Sequence, residues 1–322
     1  MNEILFSNEV IVYLLSETII YGLLFLSFIV SLGILKSWNY ENFNQKQFIL
    51  ENRSYLVESI LFFTLILKVF LLPYFVYTID NLSLLIPGAM CGAGVIEANS
   101  YGNPLLILKM IILFLSGLWF SINRLDLQKK SYPYLTIKLW LFVAIFFLLS
   151  IEYSLDIAYF THIATETPVT CCSVLFSQVG GANGLPLGLT LAKLVWLFYL
   201  VYILLMLSIF LEKILLSVFT SALFAFIAYY AVVYFFGTYV YQLPTHNCPF
   251  CMLQSYYYYV GYLIWGLLFF SVYLIFNYGV MSYFFKTNFQ KNKAMILSLL
   301  TAFVFVCSAY VILYYVRNGV FL

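Results

Sequence analysis

Charge is scarce in this sequence. Asp, Glu, Lys and Arg make up 9% of its 322 residues and apolar residues 64%, where a soluble globular chain carries about 25% charged and about 45–50% apolar residues. A fold bathed in water could not hide that much apolar surface, which excludes a soluble globular protein. Histidine is scarcer still, with two residues, too few for a membrane cytochrome that holds several haems on paired imidazoles. The net charge of +2 gives no electrostatic basis for binding nucleic acid. A haem-attachment CxxCH, a phosphate-binding glycine loop and a zincin motif are all missing. No basic residue precedes Lys36. A cleaved secretory leader opens with a positive stretch, so the first apolar run is expected to stay as a span.

What the chain does have is apolar runs of the length that a hydrocarbon layer about 30 Å thick requires. They place spans near 9–34, 56–78, 104–122, 139–161, 187–211, 214–241, 255–280 and 295–316. The expected fold class is an all-α polytopic membrane protein of about eight transmembrane helices, one integral membrane domain over 1–322, with the lipid bilayer as its partner. Aromatic residues reach 21%. Tyr and Trp near span ends suit the interface, and the others face lipid or neighbouring helices.

Eight spans sort the basic residues. Lys36, Lys46, Arg53, Arg124, Lys129, Lys130, Lys138, Lys213, Lys286, Lys291 and Lys293 fall on one side, and Arg317 alone on the other. Cytoplasmic loops carry the excess of Lys and Arg. Both termini are therefore expected on the non-cytoplasmic side, the outer face if this is a bacterial inner membrane.

The three interspan loops on that outer side resemble one another. They read Pro87-Gly-Ala-Met-Cys91-Gly-Ala-Gly-Val-Ile-Glu97, Pro168-Val-Thr-Cys171-Cys172-Ser-Val-Leu-Phe-Ser177 and Pro244-Thr-His246-Asn-Cys248-Pro-Phe-Cys251-Met-Leu-Gln254. In each, a proline stands three or four residues before a cysteine, and four and five residues after that cysteine come two apolar residues and then Glu97, Ser177 or Gln254. The first two loops also continue alike, Gly102-Asn-Pro104-Leu leading to Lys109 and Gly184-Leu-Pro186-Leu to Lys193. The pattern predicts three repeated helical hairpins (spans two–three, four–five and six–seven) flanked by one helix at each end. Sites in membrane proteins tend to form where repeats meet.

Of six cysteines, Cys307 lies inside span eight and reads as a small buried apolar residue. The other five, Cys91, Cys171, Cys172, Cys248 and Cys251, all sit in the outer loops with both histidines, His162 and His246, and with Met90 and Met252 beside the cysteine motifs. Disulfides persist on an oxidising outer face, so structural bridges are one reading. Five is an odd number, however. The adjacent Cys171 and Cys172 have Cα atoms about 3.8 Å apart, shorter than the roughly 4.4–6.8 Å of a disulfide.

Cys248-Pro249-Phe250-Cys251 is the sharpest motif. Placed at the start of span seven, it would gain the helix dipole and unpaired N–H groups that favour a thiolate, with Cys248 the most reactive thiol. His246 stands close enough in sequence to donate or accept a proton. The same spacing also binds metals. This stretch resembles the CxxC at a span entrance in the periplasmic quinone-coupled disulfide-forming proteins and the vitamin K epoxide reductases. The resemblance is confined to the stretch: those families have about half as many spans, and the periplasmic ones follow CxxC with an arginine that this sequence lacks. It implies a quinone as electron acceptor.

Ionisable residues also fall inside spans: Glu17, Lys68, Lys109, Glu152, Asp156 and Lys193. Such groups are costly in a bilayer and are functional candidates by default. Glu152 and Asp156 share a helix face below His162. They fit either a proton path towards the cysteines or helix–helix ion pairs.

Three functions fit these features, in this order. The first is a membrane thiol–disulfide oxidoreductase or electron-transfer protein. Cys248 would exchange, Cys251 would resolve, and Cys91, Cys171 and Cys172 would form a second relay, working with a quinone or a periplasmic thiol protein. The second is a soft-metal protein that binds, delivers or transports a Cu(I)-like ion, held by cysteine, His162, His246, Met90 and Met252 and exchanged with a metallochaperone. The third is a membrane subunit of a larger redox complex. The topology has a direct check. Reporter fusions near residues 127 and 288 should report cytoplasm and fusions near 95, 175 and 247 the opposite side; a cytoplasmic signal near 247 would sink the arrangement.

Overall fold

A helix in hydrocarbon satisfies all of its backbone groups internally, and this chain answers that demand eight times. The computed structural model describes residues 3–39, 44–129, 132–163, 169, 188–286 and 293–322. Eight of its helices are long and apolar enough to cross a membrane: α1 Asn8–Ser37, α2 Gln45–Leu82, α3 Gly102–Leu127, α4 Leu135–Thr161, α5 Leu191–Phe210, α6 Ile214–Tyr241, α7 Val260–Phe285 and α8 Lys293–Asn318. No strand occurs among the described residues. The chain is thus an all-α polytopic membrane protein, with each helix overlapping an expected span. The break between α5 and α6 is a tight turn in which Glu212 adopts φ 57° and Lys293 Nζ donates to the Phe210 carbonyl at 2.7 Å.

The chain divides into two compact units, Met1–Pro87 with Val95–Val169, and Gly88–Gly94 with Thr170–Leu322. Helices α1–α4 lie in the first unit and α5–α8 in the second. In the first unit α1 packs on α2 and α4, and α3 packs on α4 and α2, closing a ring of four helices. In the second, α5, α6, α7 and α8 close a ring in chain order. The α1 sequence shows why such helices need lipid. Its inward stripe is Val10, Tyr13, Glu17, Ile20, Leu24, Ser27, Ser31 and Ile34, spaced by three and four. Its outward residues, Leu15, Ile19, Phe25 and Leu26 among them, are exposed and just as apolar.

Helix α2 is longer than its expected span. Its 38 residues reach about 57 Å at 1.5 Å per residue, and the early turns carry exposed Lys46 and Arg53. The expectation that Lys138 is a loop charge is corrected. It lies in the first turn of α4, fully buried, with its ammonium 2.8 Å from Glu58 and 2.7 Å from Asp126. It also donates to Asn123 Oδ1 at 3.1 Å. Glu58, which by position could have snorkelled to the interface, is held inward by that pair. Removing one member of a buried ion pair costs about 3–5 kcal/mol, so this knot ties α2, α3 and α4 at one end of the unit.

Candidate functional site

The second unit owes its cysteine site to the way α6 ends. The helix carries a π-helical turn at Val232–Phe236 and stops at Tyr241, with Gln242 in the left-handed region at φ 55°. The Tyr241 hydroxyl donates to the Cys248 carbonyl and accepts from Met252 N at 3.1 Å. One buried phenol thus pins both ends of the CxxC segment. Trp265 Nε1 donates to the Pro249 carbonyl at 3.3 Å. A side chain at Gly261 would place its Cβ 2.6 Å from Met252 Cγ, so only glycine lets the loop lie against the first turn of α7.

Cys91 joins this unit through Gly88–Gly94. Its Sγ lies 3.5 Å from Cys248 Sγ, and the sulfurs of Cys91, Cys248 and Cys251 all lie within 4.8 Å of one another. None of the three is joined in a disulfide among the described residues, and their residue exposures are 0%, 3% and 7%. They sit in an apolar core that includes Val240, Tyr241, Met252 and Val260. Gln254 Nε2 reaches the Met90 carbonyl at 3.4 Å, a further tie between the two loops.

Several expectations change here. The CxxC does not occupy the N-terminus of span seven. Cys251 opens a three-residue 3-10 turn, a second such turn follows at Ser255–Tyr257, and α7 begins only at Val260. The helix-dipole argument for a reactive Cys248 therefore fails. Two successive left-handed residues, Tyr258 and Tyr259, separate the motif from the helix. Cys91 belongs with the CxxC pair rather than in a separate relay. Cys171 and Cys172 lie outside the described residues. His162 caps α4 in the first unit, exposed, with Nδ1 2.8 Å from the Ala158 carbonyl, and has no place in the thiol cluster. Met90 is exposed, whereas Met252 is fully buried. His246 stands on the Tyr241 ring at 4.3 Å, and its buried Nε2 has no hydrogen-bond partner among the described residues. Burial pushes its pKa below the usual imidazole value, against the opposing pull of Cys248, so at neutral pH it is an uncharged ring.

The intramembrane charges converge in the first unit. Lys68 Nζ lies 2.8 Å from Glu17 and 2.8 Å from Glu152, and Lys109 Nζ lies 2.7 Å from Glu152 and 2.8 Å from Asp156. Glu152 thus bridges the two lysines, as its shared helix face with Asp156 allows. Lys193 is not part of the group. It lies exposed in the first turn of α5, where its backbone N–H is capped by Thr190 Oγ1.

Sequence reasoning missed Tyr13, which joins this cluster, and the Glu58–Asp126–Lys138 knot. A signal for the polar interior was present in α3: Lys109, Ser116 and Asn123 recur every seven residues in an apolar helix, and all three are buried.

Cys91 and Cys251 should be slow nucleophiles. The hydrogen bond to Cys248 is the main cause raising the Cys91 thiol to about 12, with burial adding and Cys251 opposing. Contact with Cys248 and Cys91, and burial, also push Cys251 up. Only the thiolate reacts, so alkylation of Cys91 in the reduced, folded protein should be negligible at neutral pH and rise about tenfold per pH unit towards 12. Quantifying alkylated Cys91 peptide by mass spectrometry across pH checks this, and rapid labelling at neutral pH would contradict it.

No family model, curated protein or solved structure matches this chain.

Proposed function

We propose that this chain is a membrane thiol–disulfide redox protein whose centre is Cys91, Cys248 and Cys251. Its place is the non-cytoplasmic face, with both termini on that side, of a bacterial inner membrane. The observation that carries the reading is the convergence of three buried thiols from two loops far apart in sequence, with Cys91 and Cys248 sulfurs at 3.5 Å. Two thiols that join as a disulfide release two protons and two electrons, and the remaining thiol can attack that bond and move it among the three.

Burial selects the partner. Thiol exchange needs the attacking sulfur to approach along the S–S axis, and cysteine residues at most 7% exposed leave a folded protein no such approach. A small carrier of the quinone class fits better, since it takes up the same two electrons and two protons to become a hydroquinone. Exchange with a periplasmic thiol protein falls on chemical grounds to the vicinal Cys171 and Cys172.

One observation favours a second reading: the convergence involves three sulfurs, not two. A thiolate-bound metal with bonds of about 2.3 Å sets three trigonal sulfurs roughly 4 Å apart, compatible with sulfurs within 4.8 Å of each other. A Cu(I)-like ion would suit such a set. One preparation separates the readings. Protein purified without reductant or chelator is analysed for metal, and its thiols are titrated in denaturant before and after reduction. The redox reading expects two more thiols after reduction, mapped by differential alkylation to these three cysteines. An unchanged thiol count with one equivalent of thiophilic metal would replace it with the metal reading.

A further inference from the structure

The ionic cluster inside the first unit is short of positive charge and of hydrogen. From α1 come Tyr13 and Glu17, from α2 Lys68, from α3 Lys109, and from α4 Glu152 and Asp156. Three carboxyl groups thus face two ammonium groups. Tyr159, the nearby buried phenol of α4, is occupied elsewhere, donating to the Val95 carbonyl at 2.8 Å. The packing around the cluster is otherwise aromatic, with Phe75 and Phe160 against the Tyr13 ring. An unbalanced negative charge in such surroundings is strongly disfavoured.

The hydrogen shortage falls on one atom pair. Tyr13 Oη is 3.0 Å from Glu17 Oε1 and 3.0 Å from Asp156 Oδ1, and it accepts from Lys109 Nζ at 2.6 Å. A phenol has one hydrogen to donate, so it can serve only one of the two carboxyl oxygens. Both Glu17 oxygens accept from Lys68 at 2.8 Å. Asp156 accepts from Lys109 at Oδ2, while the contact of its Oδ1 is with Tyr13.

We propose that this cluster is a proton-binding site, in which Asp156 carries the proton on Oδ1 and donates it to Tyr13 Oη, while Tyr13 donates to Glu17. One added proton removes both shortages: two carboxylates then balance two ammonium groups, and each close oxygen pair holds a hydrogen. The ligand is the proton itself, and the site does not depend on the thiol reading.

Space for a proton acceptor lies alongside. A cavity of about 20 Å³ is lined by Tyr13, Glu17, Lys68, Lys109, Glu152 and Ser116, large enough for one water. Ser116 Oγ is buried there without a hydrogen-bond partner among the described residues, and so is Trp119 Nε1 about one turn further along α3. A water in the cavity would answer Ser116 and give the proton of the cluster a neighbouring acceptor.

Infrared spectroscopy of the purified protein in lipid tests the site. The expected spectrum at neutral pH contains the carbonyl stretch of a protonated carboxyl group. That band shifts in heavy water and fades as pH rises. It is lost in Asp156→Asn and moves in frequency in Tyr13→Phe, which keeps every charge and removes the hydroxyl that accepts from Asp156 and donates to Glu17. Absence of the band from the wild-type protein overturns the proposal. So does a band that neither shifts in heavy water nor titrates, or one that survives Asp156→Asn and is unmoved by Tyr13→Phe.

Discussion

An ammonium group inside hydrocarbon must bring its counter-charge with it, and Lys109 shows what that demand does to a fold. Its Nζ meets Glu152 and Asp156 of α4 and the Tyr13 hydroxyl of α1, and stands 4.8 Å from the centre of the Phe75 ring of α2. Four helices are therefore committed to one rotational setting by a single side chain. A helix that turned any one of these groups outward would leave a charge facing lipid, at a cost of several kcal/mol. The Lys138 knot repeats the device near the start of α4. Apolar packing alone would tolerate many rotations of these helices, because their outward faces are as apolar as their inward ones. The ion pairs choose among them.

The second unit solves its interior differently. Among the described residues, every charged side chain that is buried belongs to the first unit. The second is filled by aromatic packing: Phe198 lies within 6.1 Å, ring centre to ring centre, of Phe224, Phe236 and Phe303. Its cysteine site lies in the loops, where Tyr241 anchors the CxxC segment and three sulfurs meet. One unit thus carries buried ionisable groups and the other buried thiols.

The eight spans were legible in the sequence because hydrophobic length is a local property and a bilayer imposes it uniformly. The kinship of Cys91 with the CxxC pair was legible only through the likeness of their loops, since contact between distant segments leaves no periodic trace. Placing the motif at a helix N-terminus was wrong for a local reason. The tyrosine run Tyr256–Tyr259 reads as an apolar helix start, yet two of its residues adopt φ above 50° to bring the loop back over Gly261. Lys138 was misread because a lysine at a span boundary looks like an interfacial charge. Its partners Glu58 and Asp126 come from other helices, far off in sequence. Lys109, Glu152 and Asp156 were singled out by their place inside apolar runs, while Tyr13 was lost among 29 tyrosines.

The most direct test of the account is whether Cys91 and the CxxC cysteines form one centre. In Cys251→Ser protein, which removes the competing thiol, mild oxidation followed by peptide mapping under non-reducing conditions should yield a Cys91–Cys248 disulfide. Cys248 remaining free, or Cys91 linked only to Cys171 or Cys172, would contradict it.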